Sequence, residues 1–358
     1  MSKRVLVTGG AGFVGSSLAL RLKRQHLGWQ VLALDNLRRR GSELSLPRLR
    51  EGGVEFLHGD VRIAEDLREA APVDLILECS AEPSVLAGLH SSPAYVIQTN
   101  LAGTINCLEL ARQHEAAVIF LSTSRVYPIA LLADIAYKES ETRFEIVADA
   151  GAVPGLSAEG IAEQFPLAGA RSIYGASKLC SELLIQEYVD AFGLPILIDR
   201  CGVITGPWQM GKVDQGVVVH WILCHLFERP LTYIGFGGTG KQVRDILHIE
   251  DLGRLLEAQI PAVESHRGQI FNVGGGRQCS VSLRELTELC VRATGKRIPV
   301  GSQPETRPAD IPIYLTDIGR VRTTFGWQPS FTAGQVVEET TGWIREHREA
   351  LARTLGLA

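Results

Sequence analysis

Tyr174 and Lys178 stand four positions apart in Tyr-Gly-Ala-Ser-Lys, a spacing that puts a phenol and an ammonium on one face of a helix. A neighbouring ammonium favours the phenolate and draws down a pKa that starts near ~10. A tyrosinate tuned in this way can take the proton of a hydroxyl while hydride leaves the same carbon for a nicotinamide. A second set is Thr8-Gly9-Gly10-Ala11-Gly12-Phe13-Val14-Gly15. Its glycines at 9, 12 and 15 suit a tight turn, a close approach of backbone to a pyrophosphate, and close packing of helix on strand. Asp35 follows Gly15 by twenty positions, where a carboxylate would hold an adenosine ribose and repel a 2′-phosphate. The expected cofactor is therefore NAD rather than NADP, with Arg38-Arg39-Arg40 read as a solvated loop.

These residues need elements to hold them. Apolar runs that read as strands are Arg4–Thr8, Gln30–Asp35, Glu55–His58, Asp74–Cys79, Ala117–Ser122 and Pro195–Asp199. Stretches with helical spacing, Gly15–Gln25, Ala64–Ala70, Ala94–His114 and Tyr174–Phe192, lie between them. Strand and helix in alternation, with strands apolar on both faces, predict an α/β fold: a doubly wound parallel sheet of the Rossmann kind over 1–204. Ser122-Thr123-Ser124 closes the fifth run, at the strand end where ligands of such sheets sit. The segment 128–171 reads as an insertion and a surface excursion. Beyond 205, frequent Gly and Pro and short helices predict a smaller mixed lobe for substrate over 205–358, with some segments returning to the first domain.

The 358 residues are 45% hydrophobic with a formal net charge of −4, which excludes a disordered chain and offers no basic field for nucleic acid or an acidic membrane. Seven Cys without a Cys-x-x-Cys pair predict reduced thiols and neither a disulfide frame nor a metal site. No apolar run is long enough to span a membrane, and the chain starts directly on a strand, so a cytoplasmic protein without a signal peptide is expected.

Together with the glycine turn, Thr123, Tyr174 and Lys178 resemble the extended short-chain dehydrogenase/reductase family, the nucleotide-sugar epimerases and dehydratases. Further stretches match it in order: Asp60-Val61-Arg62, Asn100, Arg200 to Gly206-Pro207, Arg244 to Asp251, Phe271 to Gly275, Arg307-Pro308-Ala309-Asp310 and Phe325 to Pro329. The resemblance implies that Tyr174 is the base, that Lys178 holds the nicotinamide ribose, and that Thr123 bonds the reacting hydroxyl. It implies that Asn36, Asp60, Val61, Ser80, Ala81, Asn100, Ser122 and Arg200 help to bind the cofactor. Arg244 and Arg307 would grip a diphosphate, and Glu82, Ser124, Arg125, Gln215 and Asp310 would line the substrate site. Two departures bear on the sugar pocket: Cys79-Ser80-Ala81-Glu82 stands where the family has small-Ala-Ala-Gln, and Pro128 where it has Gly.

Within the family, three features resemble the CDP-tyvelose (CDP-paratose) 2-epimerases. These are Thr123-Ser124-Arg125-Val126-Tyr127, Glu139 to Phe144, and Asp214-Gln215-Gly216 followed by Gly240 to Asp245. The related dehydratases carry Asp-Glu after the Thr, and here Ser124-Arg125 supplies no carboxyl. The resemblance thus implies epimerisation of a CDP-sugar, with another nucleotide-sugar epimerase as the alternative. A dinucleotide-binding regulator is disfavoured because the Tyr and Lys survive. His220, His248 and Cys201 read as structural. A homodimer or tetramer is expected, by pairing of the helices Ala94–His114 and Tyr174–Phe192.

Overall fold

The computed structural model describes residues 2–89, 91–147, 153–211, 216–307 and 309–357. By contacts they divide into two compact units. The first comprises 1–126, 173–200 and 253–271; the second comprises 127–172, 201–252 and 272–358. The chain thus crosses between units several times, and 127–172 clusters with the second one.

The first unit is built on strands β1 (Arg4–Thr8), β2 (Gln30–Asp35), β3 (Glu55–His58), β4 (Leu75–Glu78) and β5 (Ala117–Thr123). β3, β2, β1, β4 and β5 lie side by side in that order and pair in parallel. Strands Ile196–Cys201 and Ile270–Val273 extend the order beyond β5, giving seven strands among the described residues. Leu6, Leu32, Leu34, Ile76, Val118, Phe120, Ile196 and Ile198 join one buried cluster with Cys107, Leu108, Ala111 and Ile185 from the covering helices. Both faces are covered, which is why these strands read as unbroken apolar runs. The strand order reverses between β1 and β4, and a doubly wound sheet opens a ligand crevice at the carboxyl ends of such a pair.

The observed helices refine the sequence reading. The expected helix Ala94–His114 is Ala94–Ile97, a π-turn over Gln98–Ala102, and Gly103–His114. The extra residue of a π-turn turns part of the following face, and such turns concentrate at functional sites. Arg38 lies exposed on the loop after β2, as expected, with its guanidinium 4.1 Å from the ring centroid of Tyr95, against which Arg62 also packs at 4.9 Å.

In the second unit, strand Val243–His248 pairs in parallel with Val203–Thr205 and Ile313–Tyr314 and antiparallel with Ser280–Ser282. Helices Leu283–Thr294 and Ala333–Glu346 each begin with a capping box, Ser282 with Glu285 and Thr332 with Gln335. The segment expected as a surface excursion is part of this core: Phe144, Ile161 and Phe165 are buried. Ile161 accepts the Asn272 side-chain amide at 2.8 Å, and Tyr127 donates to Asn272 Oδ1 at 2.8 Å. Its apolar residues are too widely spaced to declare a face in sequence, and they find partners more than a hundred positions away.

Candidate active site

The turn after β1 is shaped by steric exclusion. Gly9 has φ +62°, and a Cβ on Gly15 would lie 2.2 Å from the Gly9 carbonyl oxygen. A Cβ on Gly10 would lie 2.6 Å from Ala33 Cα. Gly12 donates to Gly9 O at 3.0 Å and begins helix Phe13–Gln25 from extended backbone with no side-chain cap. The first N–H groups of that helix carry its positive dipole end, which suits a pyrophosphate. Asp35 closes β2 and accepts the N–H groups of Leu37 at 2.8 Å and Ala11 at 3.1 Å. Burial pushes its carboxyl up, and those donors pull it back. Asn36 donates to Asp60 at 2.8 Å, and the Arg62 fork on Asp60 holds that carboxyl down at about 2. Val61 is buried beside Gly103, whose Cβ would come within 2.8 Å of it.

The segment after β4 closes the other side of the turn. Thr8 Oγ1 accepts the Cys79 and Ser80 N–H groups at 3.2 and 3.3 Å, which seats the Ser80-Ala81 backbone against Gly9. Asn100, in the π-turn, accepts the Glu82 N–H at 2.8 Å and donates to Glu82 O and to Ser177 Oγ. Ser177 lies on helix Ile173–Phe192, so Asn100 ties the β4 loop to the helix that carries Tyr174 and Lys178.

Tyr174 opens that helix and is 9% exposed, whereas Lys178, one turn on, is 1% exposed. The Lys178 ammonium lies 3.7 Å from the ring centroid of Phe120. Thr123, buried at the end of β5, accepts the Arg125 N–H at 3.2 Å, and the short turn Ser124–Val126 packs on the same helix. Ser122 donates to Glu182 Oε1 at 2.5 Å. Glu182 also takes the Arg200 fork, with N–O distances from 2.7 to 3.1 Å. The Arg200 guanidinium, expected at the cofactor, therefore faces Glu182. Glu182 itself was missed in sequence, although it follows Lys178 by four positions on the same helix face. Glu78 was missed as well; no local spacing marks it.

In the second unit, Arg244 donates to Asp310 Oδ1 at 3.2 Å and to the carbonyls of Ile311 and Val243 at 2.7 Å. Arg307 and Asp310 belong to one turn, in which the Asp310 N–H reaches the Arg307 carbonyl at 3.2 Å. Arg244 and Asp310 thus come together, and Arg307 is joined to Asp310 through its backbone carbonyl; Gln215, Asp214 and Pro308 lie outside the described residues. Two stretches singled out in sequence also meet here. Phe144 donates its N–H to Lys241 O at 2.9 Å, and Lys241 Nζ reaches Glu139 Oε1 and Ser140 O at 2.8 Å. His248 stacks on Phe331 at 4.0 Å, and His220 lies against Cys224; burial pushes both imidazoles down.

The NAD dependent epimerase/dehydratase family matches residues 5–274. The CDP-paratose 2-epimerase of Salmonella typhi is 31% identical over 95% of this chain and 98% of its own length. The dTDP-glucose 4,6-dehydratase of Salmonella typhimurium is 27% identical, over 95% of this chain and 92% of its own. Among solved structures, the UDP-glucose 4-epimerase of Thermus thermophilus, in complex with NAD, superimposes with a TM-score of 0.75 at 27% identity, covering 96% of this chain and 99% of that one. The glycine turn, the buried Tyr174–Lys178 helix and the match across most of the chain agree, and the protein belongs to the NAD-dependent epimerase/dehydratase family, the extended short-chain dehydrogenases/reductases.

Proposed function

We propose that the protein is an NAD-dependent epimerase that inverts C2 of a CDP-linked deoxyhexose, in the manner of a CDP-paratose/CDP-tyvelose 2-epimerase. The residues around the β1 turn fit NAD: the uncapped helix start, the Gly9–Gly15 contact that no side chain could share, and Asp35 at the ribose position. NAD held there would supply the hydride acceptor for oxidation of the sugar carbon and, once reduced, the hydride donor for its reduction. Tyr174 accepts the hydroxyl proton as the carbon is oxidised and returns it after the sugar has turned. Lys178 stabilises the tyrosinate and holds the nicotinamide ribose, and Thr123 orients the hydroxyl. Arg244 and Arg307 take the diphosphate, since guanidinium forks match its oxygens. Glu82, Ser124, Arg125, Gln215 and Asp310 complete the substrate side.

The observation that carries this reading is the turn Thr123-Ser124-Arg125. The two positions after Thr123 hold a hydroxyl and a guanidinium, and the latter stays protonated far above neutral pH. Elimination of water has no acid–base pair in that turn, which favours epimerisation over dehydration. The hairpin around Glu139–Phe144, joined to Lys241, supports the CDP-sugar subgroup. Incubation with CDP-paratose or CDP-tyvelose in deuterated water, followed by NMR, tests the proposal. Interconversion without solvent deuterium at the inverted carbon is expected; no interconversion, or solvent deuterium at that carbon, would overturn it.

We also propose a homodimer built on the two long helices, because Ile97, Leu183 and Phe192 present exposed apolar side chains on them. Light scattering that gives a monomer contradicts this. Seven free thiols, and no helix long and apolar enough to cross a membrane among the described residues, support work in the cytoplasm.

A further inference from the structure

Two carboxylates and two cations are sealed within the first unit: Glu78, Glu182, Lys178 and Arg200, each 2% exposed or less. Arg200 and Glu182 satisfy one another through a fork, with Ser122 on the remaining side. Glu78 and Lys178 are the other two. The strand register places Glu78 directly opposite Phe120, and the Lys178 ammonium lies 3.7 Å from the centroid of that ring. Glu78 Oε1 accepts the Thr104 hydroxyl at 2.5 Å, while Oε2 is buried without a hydrogen-bond partner among the described residues. A buried ammonium without a compensating anion costs several kcal/mol, and so does a buried carboxylate without a cation.

We propose that Glu78 is the counter-ion of Lys178 and a positioning residue for the Tyr174–Lys178 pair, fixing the charge against which Tyr174 gains and loses its proton. This rests on the reading of Tyr174 and Lys178 as the hydride-transfer pair. Burial pushes the Glu78 carboxyl up, and Lys178 is the cation that draws it back. Among the described residues, the thiols of Cys79, next in the chain, and Cys107, on helix Gly103–His114, feel both charges, and burial holds both protonated; Glu182, with its Arg200 partner, follows Lys178 by one turn on the same helix. β1 presents only Thr8 at this level and β5 only Phe120.

The test is Glu78→Gln, which keeps the volume and the bond from Thr104. Removal of a negative charge makes every neighbouring proton easier to lose. Both limbs of the pH–turnover profile should therefore move to lower pH by about one unit, the order expected for a charge one side chain away in a medium of permittivity ~20. The tyrosinate absorbance of the NAD-loaded protein, taken as the difference from Tyr174→Phe, should show the same displacement without any turnover. Thr104→Val, which removes the hydroxyl and keeps the charge, should leave both limbs in place. A purely structural Glu78 predicts the reverse: a lower melting temperature with unmoved limbs and an unmoved tyrosinate midpoint, and that result would overturn the proposal. Should Glu78→Gln fold poorly, adding Lys178→Met should restore its melting temperature by removing the stranded cation; strictly additive losses would refute the pairing. Near-normal turnover of Tyr174→Phe would instead refute the hydride-transfer reading, and the tyrosinate and melting measurements would still decide on Glu78.

Discussion

Replacing Glu182 by Gln should be among the most damaging single changes to the first unit. The side chains of Glu182 and Arg200 are 2% and 3% exposed, so water cannot stand in for either partner. The fork has N–O distances of 2.7 and 3.1 Å, and Ser122 adds a third donor at 2.5 Å. Gln keeps the volume but turns an amide towards the guanidinium and leaves that charge buried and uncompensated. Removing one member of such a pair costs about 3–5 kcal/mol. For a cooperative unit of this size that corresponds to a fall in melting temperature of roughly 10 °C. Thermal unfolding followed by circular dichroism, with urea unfolding beside it, reads the loss. The double change Glu182→Met with Arg200→Met removes both charges, and it should recover most of the stability because an apolar pair of similar volume is nearly neutral. A single variant within about 1 kcal/mol of the parent, or a double variant no better than the single one, would refute the claim that a desolvated ion pair anchors the end of β5.

Gly15→Ala would place a Cβ 2.2 Å from the Gly9 carbonyl oxygen and 2.8 Å from its carbon, and backbone cannot swing aside as a side chain can. We expect loss of bound NAD on gel filtration; a variant that retains NAD like the parent would disprove the fit. Asp199 is buried beside Gln259, and burial pushes its carboxyl up to about 7. The folded state therefore holds a proton that the unfolded chain releases near its ordinary ~3.9, so this contribution to stability is full below that value and is lost as pH rises to about 7. Asp199→Asn should melt higher than the parent at pH ~8 and lose the advantage at pH ~4; equal displacement at both would contradict this. Asp35 should make NAD bind much more tightly than NADP, and equal retention of both through dialysis would count against it.

Local order carried much of this fold into plain view. The apolar runs of β1, β2, β4 and β5, closed by Thr, Asp or Glu, are plain because strands covered on both faces need no polar alternation. The Gly9–Gly15 turn, Asp35 and the Tyr174–Lys178 pair are legible because their function depends on spacings within one turn or one strand–helix unit, which the sequence displays directly. What the sequence could not display are partners fixed by register and by packing across long separations. Glu78 lies opposite Phe120, and thereby beside Lys178, only because β4 and β5 pair in one register. Asn100 reaches the Glu82 backbone and Ser177 from within a π-turn that periodicity alone reads as plain helix. The segment after Tyr127 reads as an insertion until Phe144 and Lys241, about a hundred positions apart, are seen to share a hydrogen bond. A helix face or a strand alternation is set by neighbours along the chain; a buried charge acquires its partner only when the sheet closes and water is excluded.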